Sequence, residues 1–206
     1  TTPLLHAAAE CFLYTVSMPI DPRRILYQDD ALLAVMKLSG ELAVAGKGEL
    51  EKLPLYDFLR KEFPGIRPIH RLDFETSGVM LFAKNKEVLE KIVSSAFEGW
   101  RKTYRTLVAG RIREASGEIV VPLPARDSRS KGKIPALTRF QVLFRFPTCT
   151  YVEAHIEQGR HHQIRRHFAA IHHPLMLDEL YGDKQANHAF SRQFKYRKFF
   201  LHAYSV

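Results

Sequence analysis

Short apolar or alternating runs of strand length dominate the chain, and three amphipathic stretches with helical spacing interrupt them. "RILYQDDALLAVMK" predicts two short strands around an Asp29-Asp30 turn. "LPLYDFLRKEF" sets Leu55, Phe58, Leu59 and Phe63 at helical spacing, and Pro64-Gly65 ends that helix. "GVMLFAK" is a continuous apolar run, the pattern of a buried strand. "KEVLEKIVSSAFEGW" predicts an amphipathic helix with Val88, Leu89, Ile92, Val93 and Ala96 facing the core. "KTYRTLVAG", "GEIVVPL", "ALTRFQVLFRF" and "CTYVEAHIE" predict further strands. "GRHHQIRRHFAAI" predicts a helix after a glycine turn, with Ile164, Phe168 and Ile171 inward. Strands outnumber helices and several adjoin in sequence. The expected class is α+β on a mixed, largely antiparallel sheet.

At 206 residues the chain fits one domain, or one domain with a small appendage. No stretch approaches the roughly 20 apolar residues that span a bilayer. "TTPLLHAAAECFLYTV" lacks the basic start and the cleavage pattern of a signal peptide. Cys11 and Cys149 have no metal-type spacing and offer at most one bridge, so a reducing cytoplasm is the expectation. Charge changes the picture more. Lys and Arg number 31 against 22 acids, a net +9, which points to a polyanionic partner, nucleic acid ahead of an acidic membrane.

No phosphate-binding glycine loop, GxGxxG, GxSxG or HExxH is present. Histidines 161, 162, 167, 172 and 173 invite a metal reading, but Arg165 and Arg166 are interleaved and no cysteine stands among them, so no metal is expected. "PARDSRSKGKIP" carries Arg126, Arg129, Lys131 and Lys133 against Asp127. It reads either as a solvated loop or as a basic flap that binds phosphate. In "IHRLDFETSG", Asp73 is either a turn cap or an ionised catalytic carboxylate, and its position alone leaves both open.

These residues resemble a known family. "IHRLDFETSGVMLFAKN" is similar to the HRLDxxTSG motif of the RluA-type pseudouridine synthases. Four further segments follow in that family's order: "KTYRTLVAG", "PALTRFQVL", "EAHIEQGRHHQIRRHFAAIHHP", and "LDELYG" with "FLHAYSV". The resemblance runs from about Arg24 to the C-terminus. It implies an extension over residues 1–23 and a catalytic domain over 24–206, with no separate N-terminal RNA-binding module. It implies a bent antiparallel sheet with a cleft across its middle. The implied activity is isomerisation of a uridine within rRNA or tRNA, without cofactor or metal, by a cytoplasmic enzyme, with a monomer as the simplest state. Asp73 matches the family's essential aspartate, nucleophile or base. Arg165 matches the arginine that pairs with it, and Tyr104 the tyrosine that lies against the target base. Arg71 matches an arginine able to fill the space left by a flipped base. His70, Arg160, His162 and Arg166, with Arg126, Arg129, Lys131 and Lys133, are the expected RNA contacts. Thr76, Ile164 and Leu201 are the expected pocket supports.

Three departures stand out: Leu38 where proline is usual, Leu177 where glycine is usual, and "QGRHHQ" with Gln158 and His161. "QIRRH" with "GDKQANHAF" also resembles the tRNA-specific TruC branch. Two competitors carry different expectations. A non-catalytic RNA-binding protein or chaperone would not need Asp73, Tyr104 and Arg165 together, and a metal-dependent nuclease would need acidic ligands beside the histidines.

Overall fold

A computed structural model describes residues 20–45, 53–95, 99–125 and 132–206. The Asp29 carboxylate accepts from the N–H groups of Ala31 and Leu32, which closes the turn between β1 (Ile25–Gln28) and β2 (Leu32–Lys37). β2 runs antiparallel to β4 (Ser77–Ala83), and the two-residue β3 (Arg67–Pro68) also pairs with β4. β5 (Lys102–Ala109), β10 (Cys149–Ile156), β9 (Leu137–Arg145) and β6 (Ser116–Val120) form a second antiparallel array. β11 (Leu201–Ser205) joins the halves, antiparallel to β5 and parallel to β4. The sheet order is β1-β2-β4-β11-β5-β10-β9-β6. A small separate ladder pairs β7 (Leu123–Pro124) with β8 (Lys133–Ile134).

The seam at β11 depends on Gly78. It pairs with Ala203 at φ 118°, and a Cβ there would lie 2.2 Å from the Ala203 carbonyl oxygen. The glycine of "TSG" is therefore where the C-terminal strand docks.

Helix α1 (Leu55–Glu62) buries Leu55 and Leu59. Helix α2 (Lys86–Ser94) starts where Asn85 accepts from the Val88 N–H. Its expected core face is only partly covered: Val88, Leu89 and Ile92 are half-buried, and Val93 is 52% exposed. Its main strand neighbour is β4, which leaves much of the stripe uncovered. Ala96 lies outside the described residues. Helix α3 (Gln163–Ala170) buries Gln163, Ile164, Arg165, His167 and Phe168, with the Phe168 ring 5.6 Å from that of Phe140. It begins at Gln163, so His161 and His162 belong to the preceding turn. Helix α4 (Lys184–Phe194) was not expected. It is capped by Asp183, which accepts from the Ala186 N–H, and it buries no residue fully, although Phe190 packs against Phe194 and Phe200. The core runs through Leu33, Val35, Met80 and Phe82 in one half of the sheet and Val108, Val152 and Phe168 in the other. No described helix is long and apolar enough to cross a membrane.

Candidate active site

Asp73 sits in the turn that leads from buried Leu72 into β4. Its backbone carbonyl accepts from the Thr76 N–H at 3.1 Å and so closes that turn. The carboxylate, about 30% exposed, instead reaches a cavity, where His162 Nε2 lies 3.8 Å from Oδ2. The turn is pinned from beneath by Lys37, which is wholly buried at the inward end of β2. Its ammonium donates to the carbonyls of Leu38, Phe74 and Thr76 at 3.1, 3.0 and 2.7 Å. Three acceptors for three protons make this burial tolerable. Burial still pushes the ammonium down to about 8, against the pull of Glu41, Asp73 and Glu75, so it stays charged at neutral pH. Sequence reasoning missed Lys37. The available signal was a lysine two residues past Val35 on the inward face of an apolar strand.

The cavity holds about 270 Å³ and is lined by Asp73 and Thr76 from the turn, Tyr104 from β5, Ile164 and Arg165 from α3, and Leu201 from β11. Tyr104 is 8% exposed, and both its cross-strand neighbours, Ala154 and Ala203, are small, which leaves room for its ring. Burial, together with the Asp73 charge, pushes its phenol upward, so it remains protonated. Thr76 Oγ1 is buried and has no hydrogen-bond partner among the described residues.

One expected pairing is corrected. Arg165 does not form its close ion pair with Asp73. Nε and Nη2 donate to Asp178 Oδ2 and Oδ1 at 2.7 and 2.8 Å, and Nη1 lies 3.9 Å from Glu75. The loop after α3 folds back and supplies a carboxylate that matches the guanidinium fork. Arg165 is 4% and Asp178 1% exposed. Burial alone would raise Asp178, but Arg165 and the N–H groups of Tyr181 and Leu180 together hold its carboxyl below the usual range. Asp178 is thus a site residue that the sequence reading did not name as one.

Two of the three departures from the family pattern, Leu177 and Leu38, find local explanations. Leu177 adopts φ 62°, so the backbone keeps a left-handed turn despite the leucine, and its N–H donates to Asn187 Oδ1 at 2.7 Å. The strain costs about 1–2 kcal/mol, while burying the side chain contributes about 1.5–3 kcal/mol. Burial wins, so Leu177→Gly is expected to lower the denaturant midpoint; a higher midpoint would show that strain dominates. The Leu38 N–H, which proline would lack, donates to Glu41 Oε2 at 2.8 Å, and Glu41 also takes both Nη groups of Arg24.

The expected RNA contacts divide. Arg71 is exposed at the cavity and at a neighbouring groove that also includes Trp100, Lys102, Tyr104 and Arg160. Arg166 donates through Nε to the Tyr181 hydroxyl at 2.9 Å. Lys133 is exposed in β8, beside Ile134, which with Pro124 lines the cavity. Arg126, Arg129 and Lys131 lie outside the described residues. His70 borders the groove, but its Nε2 accepts from the Leu81 N–H at 3.1 Å, so it also clamps β4. Burial and the charge of Lys102 push it down to about 4. The folded state therefore binds fewer protons than the unfolded state between the ordinary histidine value and 4. His70's contribution is complete above about pH 6.5 and is lost as pH falls toward 4. His70→Gln should flatten this part of a stability–pH curve; an unchanged curve would reject the assignment.

Comparison with known proteins places this geometry. Residues 31–170 match the family model described as RNA pseudouridylate synthase. The chain is 33% identical to the ribosomal large subunit pseudouridine synthase C of Vibrio vulnificus (strain CMCP6), over 88% of this chain and 60% of that protein. It is 36% identical to the dual-specificity RNA pseudouridine synthase RluA of Vibrio parahaemolyticus serotype O3:K6 (strain RIMD 2210633), over 82% of this chain and 73% of that one. The chain thus spans between about 60% and 73% of the length of these two relatives. The structure of human RNA pseudouridylate synthase domain containing 1 superposes with a TM-score of 0.68 at 26% identity, covering 90% of this chain and 79% of that one. A match across most of the sheet, the Asp73 turn and α3 carries a plain conclusion: the chain belongs to the RNA pseudouridylate synthase family.

Proposed function

We propose that this protein isomerises a uridine within structured RNA, rRNA or tRNA, to pseudouridine. The observation that carries the reading is the convergence of Asp73, Tyr104 and Arg165 on one cavity from a turn, a strand and a helix. A uridine flips out of its stack at a cost of a few kcal/mol. Arg71, long and cationic at the cavity mouth, fills the vacated space and offsets part of that cost. The uracil lies against the Tyr104 ring. Asp73 acts as nucleophile or base, the N1–C1′ bond breaks, the uracil turns, and C5 bonds to C1′. The C5 proton leaves and N1 gains one, so the reaction balances without any co-reactant. Arg165, fixed by its bidentate pair with Asp178, lines the same cavity as Asp73.

Because C5–H is lost, RNA carrying tritium at uridine C5 reports the reaction directly. Wild-type protein in EDTA should release tritium from unmodified tRNA or rRNA transcripts; no release from any of them would refute the reading. Tyr104→Phe separates the ring, which stacks on the uracil, from the hydroxyl, which stays protonated and can donate a proton. Its RNA affinity should stay within about twofold while turnover falls roughly 100-fold, the lower range for a lost proton-transfer group. Full activity would leave Tyr104 as a stacking platform alone.

A further inference from the structure

His162 stands just before α3 with φ 53°. Left-handed backbone is several-fold more common for histidine than for most residues. Its ring stacks on that of His161 with centroids 3.8 Å apart. One ring nitrogen, Nδ1, lies 3.1 Å from the Tyr181 hydroxyl, and the other, Nε2, lies 3.8 Å from Asp73 Oδ2. Tyr181 in turn receives the Nε–H of Arg166 at 2.9 Å.

Along Arg166, Tyr181 and His162, one tautomer lets each hydroxyl and ring nitrogen use its proton within the chain. A guanidinium only donates, so the Tyr181 oxygen is the acceptor in the bond from Arg166. In that tautomer the single hydroxyl proton of Tyr181 is directed to His162 Nδ1, 3.1 Å away. A nitrogen that accepts carries no proton, so the neutral imidazole holds its proton on Nε2, the atom that faces Asp73. Burial, with Arg165, His161 and Arg166 nearby, holds the ring below the ordinary histidine range despite the opposing pull of Asp73, so it is neutral at pH 7. A neutral donor steadies a carboxylate without neutralising it, whereas an imidazolium would form an ion pair and weaken the nucleophile. The 3.8 Å separation is about 1 Å longer than a hydrogen bond. Catalytic contacts of this kind tighten when substrate fills the site.

Resting on the pseudouridylation reading, we propose that His162 is a positioning residue: the chain Arg166–Tyr181–His162 locks the Nε2–H tautomer, which orients Oδ2 of Asp73 and leaves Oδ1 for the substrate. Long-range ¹H–¹⁵N spectra of the full chain, with His162 assigned by His162→Gln, report the tautomer without any turnover. Wild type should show protonated Nε2 and bare Nδ1, and Tyr181→Phe should lose that preference. An Nδ1–H tautomer, or a mixture in wild type, overturns the proposal. In single-turnover assays on tRNA and rRNA transcripts, Tyr181→Phe and His162→Ala should slow isomerisation by about 10- to 100-fold, the usual cost of losing a residue that orients another. RNA affinity should be unchanged in Tyr181→Phe, which leaves every expected RNA contact in place. His162→Gln, whose amide N–H can replace Nε2–H, should recover part of the rate. Unchanged rates in Tyr181→Phe and His162→Ala overturn the proposal. An inactive wild type refutes pseudouridylation instead, while the tautomer still accepts or rejects the hydrogen-bond chain.

Discussion

Asp73→Asn is expected to abolish isomerisation, with a loss of about four orders of magnitude or more in turnover, the scale seen when an enzymatic nucleophile or base is removed. The amide keeps the size and shape of the side chain and removes the charge. The turn should survive, because it is closed by the Asp73 backbone carbonyl and by the Lys37 ammonium on the carbonyls of Phe74 and Thr76. RNA affinity should therefore stay near wild type, since Arg71 and Arg160 at the rim are untouched. Single-turnover rates and filter binding on the same RNA check both halves. Retained turnover would place the reactive group elsewhere, and lost binding with lost turnover would return Asp73 to a structural role.

Asp178→Ala should cost about 3–5 kcal/mol in denaturant unfolding, the range for leaving one member of a buried ion pair alone. Arg165 would lose both short bonds, and the N–H groups of Leu180 and Tyr181 would lose their acceptor. The displaced arginine would no longer present its charge to the cavity, so activity should fall as well. Structural and catalytic contributions separate in the double variant Arg165→Met with Asp178→Leu. Apolar replacement of a buried pair is often neutral or stabilising, so stability should largely return while turnover stays low. A loss below about 1 kcal/mol in Asp178→Ala would show that the pair is not the anchor of the site.

The strands were largely readable from the chain, because β2, β4, β5, β9 and β10 have apolar runs or alternation bounded by turn residues. The β11 seam was not, since its docking on β4 depends on a close approach at Gly78 that pairs residues 125 positions apart. α4 escaped notice although Ala186, Ala189, Phe190 and Phe194 stand at helical spacing behind the Asp183 cap; two of the four are alanines, so the stripe is easy to pass over. α2 was overrated: its apolar stripe is real in the sequence, but the fold buries none of it fully and leaves Val93 exposed. At the site, Asp73 was ambiguous by position, and Tyr104 and Arg165 were singled out through resemblance alone. Their shared cavity is a property of the fold. The partner of Arg165 was misassigned because residue types cannot say which of two carboxylates, Asp73 or Asp178, meets the fork. Lys37 was overlooked despite its inward register: a lysine ending a strand ordinarily turns to water, and the three converging carbonyls explain why this one does not.

The most direct test is to incubate the protein in EDTA with unmodified tRNA and rRNA and to map pseudouridine by carbodiimide-dependent primer extension. A new stop at one or a few uridines, present with wild type and absent with Asp73→Asn, is the predicted result. No new stop on any RNA, or the same stops with both proteins, would contradict it.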